Sequence, residues 1–163
     1  VEEVKYSWGE VLKFDLDVAD GDQKGFFQRD YDNQTQEDKK WRGSFRLPIP
    51  KDDGSDKDAW TKSRFKAVIE SFELSNKKYK WDWDENKLVG KKIGGLFNLK
   101  EWSMEGRSGW YTQCKKLIDV EALKAEKYNM PDDEPLKLVE EAAPSGDGFM
   151  NIPDGIDEEL PFN

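Results

Sequence analysis

The sequence predicts a mainly β, α+β domain of five strands, with one helix between the third and the fourth, followed by an acidic tail. Three observations carry that expectation. Residues alternate apolar and polar from Leu12, helical spacing runs from Trp60 to Leu74, and the composition changes beyond Pro131. Period two marks a strand buried on one face, and recurrence at three and four residues marks a helix with an apolar stripe.

Residues 1–7 read as the closing part of a strand whose beginning lies upstream, since the chain opens on Val1 rather than Met. Leu12, Phe14, Leu16 and Val18 point one way and Lys13, Asp15 and Asp17 the other, which gives a strand between the turn signals Ser7-Trp8-Gly9 and Asp20-Gly21-Asp22. Gly25–Tyr31 reads as the next strand and 32–40 as a polar loop. Trp41–Pro50 is extended, with Pro48 and Pro50 restricting it to an edge or a connection. Ser55 with Asp58 three residues on resembles a capping box, so a helix starts there. Trp60, Phe65, Val68, Ile69 and Phe72 form its apolar face. Residues 79–87, with Trp81-Asp82-Trp83-Asp84, read as irregular. Leu88–Trp102 is a strand with a bulge or bend at Gly94-Gly95, Met104–Arg107 a hairpin turn, Gly109–Leu117 the last strand, and 118–128 a short helical turn. This is the element order of an OB-fold, a five-stranded Greek-key barrel used for oligonucleotides. A small α+β domain of another topology is the competing arrangement.

The net charge of −9 is unevenly spread. Residues 131–163 hold ten acids and one base, so this tail, expected to be disordered, accounts for the whole of it, and the domain over 1–130 is neutral. Within the domain, residues 1–38 carry −7 and residues 39–130 carry +7. The acidic pI therefore does not argue against a nucleic-acid partner for the domain. Of the chain's 21 aromatic residues all but Phe149 and Phe162 lie in the domain, enough to fill a core and still present stacking surfaces.

There is no His and one Cys, Cys114, which removes His-dependent nucleophilic catalysis and a four-ligand zinc site; no cofactor is expected. Asp52–Asp58 lacks the Gly and Glu positions of a calcium loop, and Gly90–Gly95 lacks the phosphate-loop spacing.

Nonspecific binding of a single strand needs cations along phosphates and aromatic faces under bases. The basic half supplies both: Lys39, Lys40, Trp41 and Arg42, then Arg46, then Lys62 and Arg64 on the helix, Lys91 and Lys92 opening the fourth strand, and Trp102, Arg107, Trp110, Tyr111 and Lys115 around the final hairpin. Taken singly, an aromatic residue is more often core and a lysine more often solvated surface. Asp15 and Asp17 would repel phosphate, which directs binding away from the second strand. The tail ends on Asp157, Glu158, Glu159, Leu160, Pro161 and Phe162, an acidic arm with an apolar tip suited to a basic-rimmed pocket on a partner protein. Folding back onto the chain's own basic groove is the alternative.

Gly25-Phe26-Phe27, Lys39–Gly43, Pro50–Gly54, Trp60–Lys66, Tyr79–Asp84 and Leu88–Lys91, in that order, resemble the single-stranded-DNA-binding proteins encoded by phages of Gram-positive bacteria. The resemblance implies a non-enzymatic OB-fold that coats single-stranded DNA during phage replication and recombination in the cytoplasm of the bacterial host. The Glu-Glu-Leu-Pro-Phe ending is similar to the acidic tips with which bacterial single-stranded-DNA-binding proteins recruit replication and repair enzymes. Here Asn163 follows Phe162, whereas those tips end on Phe. The rival expectation is a protein–protein adaptor or recombination mediator whose barrel does not grip DNA. A magnesium-dependent nuclease using scattered carboxylates is the third. Oligomeric state is left open, and no apolar run is long enough to span a membrane.

Overall fold

In a computed structural model, which describes residues 1–7 and 9–136, the chain forms an α+β fold of two sheets and three helices. Leu12 and Phe14 face inward on β2 (Gly9–Asp15), as their alternation requires. β2 is central in an antiparallel sheet between β1 (Glu2–Tyr6) and β3 (Ser44–Pro48). The register sets Phe14 opposite Phe45 and Leu12 opposite Leu47, so four inward side chains form one apolar surface. The second sheet is a long hairpin of β4 (Gly94–Met104) and β5 (Arg107–Ile118). Its two-residue turn has positive φ at Glu105 (50°) and Gly106 (77°), the mirror-image turn whose twist matches paired strands. β3 lies beside β5.

The 20-residue helix α2 (Asp56–Ser75) covers the apolar surface with Phe65, Val68, Ile69 and Phe72. Phe14 stacks on Phe72 at 5.5 Å and meets Phe45 at 6.2 Å. The Ser55 hydroxyl accepts the Asp58 N–H at 3.1 Å, the expected cap. Trp60 departs from the expected apolar face and is 60% exposed, beside Arg64 rather than in the core. Cys114 is buried, and burial pushes its thiol pKa up to about 12, so it packs as an inert apolar group. No helix among the described residues is long and apolar enough to cross a membrane.

The expected strand at Gly25–Tyr31 is instead α1 (Phe26–Asn33). Gly25 takes the left-handed conformation (φ 70°), and the Asp17 carboxylate accepts the N–H of Phe27 at 3.0 Å. Phe27 packs on Phe97 at 5.8 Å, and Tyr31, four residues on, packs against Trp41. That i, i+4 spacing is helical and outweighs the strand propensity of adjacent aromatics. Residues 2–6 form β1, as the reading of 1–7 as a strand end expected, so five strands remain without this segment and α2 falls between the third and the fourth. β2 stops at Asp15 rather than Val18, since Asp17 turns to α1. β4 starts at Gly94 rather than Leu88, which is buried at the end of a 3-10 turn (Glu85–Leu88). The short α3 (Val120–Lys124) falls within the expected helical turn.

The expected barrel is not closed among the described residues. The edge of β4 that closure would use is taken by the chain itself. Glu134 N–H donates to Leu99 O at 2.8 Å and Glu101 N–H to Glu134 O at 2.9 Å, a parallel bridge at Lys100 and Glu134. Asn98 Nδ2 to Asp132 O (2.6 Å) and Leu99 N–H to Asp133 Oδ1 (2.8 Å) extend the attachment. Residues 132–136, read from composition as part of the tail, are thus laid along the hairpin.

Candidate nucleic-acid interface

Alternation along β3 turns Phe45 and Leu47 into the core and Arg46 outward. Arg46 Nε donates to the Tyr6 hydroxyl at 3.1 Å. Across the β3–β5 boundary its charge reaches Tyr111, which shares a register pair with Lys100 of β4. Lys115 sits where β5 gains one residue against Leu96–Phe97 and is ion-paired with Glu134. Tyr111, Lys100 and Lys115 therefore gather around the Glu134 carboxylate, with Arg46 acting on Tyr111 from β3. Lys100 was not among the residues the sequence singled out.

The electrostatics there are coupled. Burial raises the Tyr111 hydroxyl pKa and the nearby Glu134 charge adds to this, against an opposing effect of Arg46. The ring therefore stays neutral and does not repel a phosphate. Burial lowers the Lys100 pKa while Glu134, 4.0 Å away, raises it and Lys115 lowers it further. Burial would raise the pKa of Glu134, but the hydrogen bond and charge of Lys115 outweigh it and hold the carboxyl below its ordinary value. Two ammonium groups converging on one anion make a place for any anion of similar charge.

The other expected site residues lie elsewhere. Lys39 stands over the Tyr31 ring at 5.6 Å, and Arg42 pairs with Asp30 at 3.1 Å. Lys40 lies 3.7 Å from Asp38, and Trp41 donates Nε1–H to Leu16 O at 3.0 Å. These four are built onto α1. Lys62 is held between Asp52 and the buried Asp58, so its charge is neutralised within the helix cap. Arg64 lies over Phe45 and Trp60, and burial lowers its pKa. Lys91 lies over Tyr79 and Lys92 pairs with Asp20 at 2.7 Å. Trp102 is half-buried, its ring within 3.0 Å of where a Gly109 side chain would start. Arg107 faces Glu105 at 3.9 Å, and Trp110 is 50% exposed on the hairpin face opposite Tyr111. On β2, Lys13 is already paired with Glu2 and Asp15. Asp157, Glu158, Glu159, Leu160, Pro161 and Phe162 lie outside the described residues.

Comparison of the chain with protein-family models, with curated proteins and with solved structures finds no match.

Proposed function

We propose that this domain binds single-stranded DNA with little sequence preference, through the sheet region carrying Arg46, Lys100, Tyr111 and Lys115. The observation that supports it is the gathering of three cations and an aromatic ring from three strands on one face. Cations of this kind track phosphates and the ring gives a base a surface to stack on. β3 lies beside β5, between the two sheets, and a helix falls between β3 and β4; in this reading the two sheets correspond to an OB-fold that is left open. In this reading the chain coats single strands in phage DNA replication and recombination, and the acidic tail tip recruits a partner protein. Glu134 occupies the cations when DNA is absent and has to yield to phosphate.

The test is anisotropy of a labelled oligo-dT titrated with the full chain and with Glu134→Gln. The substitution keeps the backbone bridge to β4 and removes the competing charge. Binding by the parent chain, tightened about fivefold in the variant, is expected, since an exposed ion pair is worth up to about 1 kcal/mol. Absence of binding at low salt would refute the reading. Equal affinity of the two proteins would remove Glu134 from it.

A further inference from the structure

Opposite in character to the basic face is a small cleft where β1, β2 and α2 meet the 79–88 segment. It is lined by Trp81, Trp83, Phe65, Glu3 and Glu85, with Leu12 and Ile49 at its floor. The three rings form one cluster. Trp83 stacks on Phe65 at 6.0 Å with 13° between planes, Trp81 meets Phe65 at 6.1 Å and 67°, and the two indoles stand 5.9 Å apart at 58°. Trp83 is 74% exposed and is held at φ 65°, a left-handed conformation that is rare for a bulky side chain. An exposed indole in such a backbone, braced by a second ring, is a surface kept ready rather than one packed away.

The polar groups of the cleft are incomplete. Neither Glu3 nor Glu85 makes an ion pair with any described residue, whereas the neighbouring Asp82 and Asp84 are both taken by Lys87 and Lys5 is held by Glu10 at 2.8 Å. The Trp81 indole N–H is buried with no acceptor. Two carboxylates without an ion pair beside indole faces, Glu3 also feeling the charge of Lys5, attract a cation and repel a phosphate. The cavity between the rings and the two carboxylates is small, about 40 Å³.

We infer that this cleft is a docking site for a basic side chain, arginine or lysine, presented by a protein partner. The ammonium or guanidinium group lies against the Trp81 and Trp83 rings between Glu3 and Glu85. The site is separate from the proposed DNA face and stands whether or not that face binds DNA.

The probe is the capped tripeptide acetyl-Gly-Arg-Gly-amide, titrated into the ¹⁵N-labelled full chain while the Trp indole N–H signals are followed. Saturable shifts of the Trp81 and Trp83 signals in the millimolar range (~1–10 mM) are expected, as suits one anchoring side chain. The neutral citrulline analogue should give none, and Glu85→Gln should weaken the response at least about threefold. Trp83→Ala, at an exposed position, should abolish the saturable response while the rest of the spectrum keeps its dispersion. No saturable shift, or an equal one with citrulline, overturns the inference. Movement of the same signals by oligo-dT and not by the arginine peptide would also overturn it and assign the rings to nucleic acid.

Discussion

Tyr111→Ala should weaken oligo-dT binding by about fivefold to 150-fold, the range given by the ~1–3 kcal/mol that one stacked base contributes. Tyr111 is half-buried between Arg46 and the Lys100–Glu134–Lys115 group, so its ring is fixed rather than free to swing away. A platform held in place loses little entropy on binding. Tyr111→Phe keeps the face and removes only the hydroxyl, so it should bind within about threefold of the parent chain. Trp110→Ala, on the opposite face of β5, should leave affinity nearly unchanged. If Tyr111→Ala binds like the parent and Trp110→Ala does not, the DNA path runs over the opposite face of the hairpin.

The largest effect on stability is expected at Phe14. Its ring is buried between Phe72 of α2 and Phe45 of β3 and joins the helix to the sheet. Truncation to Ala should cost about 3–5 kcal/mol, made up of lost transfer free energy and the cavity left behind. That is a large part of the ~5–15 kcal/mol by which a domain is stable. Urea unfolding should show a midpoint far below that of the parent chain with a similar slope. Trp60→Ala, an exposed large aromatic on the same helix, should shift stability by no more than ~0.5 kcal/mol. A Phe14→Ala protein as stable as the parent would mean that α2 and the sheet do not share one core.

Local chemistry was the part of the fold legible in the sequence. Ser55 and Asp58 marked the start of α2 because a helix's first N–H groups need an acceptor at that spacing. Met104–Arg107 marked the hairpin because Gly106 tolerates positive φ. Gly25–Tyr31 was misread because neighbouring phenylalanines favour strands, while what decides the segment is distant: Asp17 at its N-terminus and Phe97 against its face. The open sheet was hidden for the same reason. Nothing in Asp132–Leu136 alone shows that its backbone pairs with Leu99 and Glu101, more than thirty residues earlier.

The candidate site divides along the same line. Arg46, Tyr111 and Lys115 stood out as charge and aromaticity, yet only the register of β4 with β5 and the approach of β3 bring them together with Lys100. Several other basic residues that looked equivalent are neutralised by carboxylates far off in sequence, such as Lys92 by Asp20, 72 residues away. Charge counted along a chain cannot separate a cation facing solvent from one already paired across the fold. Trp81 and Trp83 were passed over as an irregular segment because their value lies in Glu3 and Glu85, brought alongside by β1 and the 3-10 turn.

The salt dependence of oligo-dT binding by the full chain tests the central claim most directly. Each phosphate neutralised on a single strand contributes a slope of about −0.7 in log affinity against log salt, so Arg46, Lys100 and Lys115 together predict a slope of about −2 between about 50 and 200 mM salt. Arg46→Ala should make that slope shallower by about 0.7. Binding that ignores salt, or a slope unchanged by Arg46→Ala, would contradict the assignment of DNA to this face.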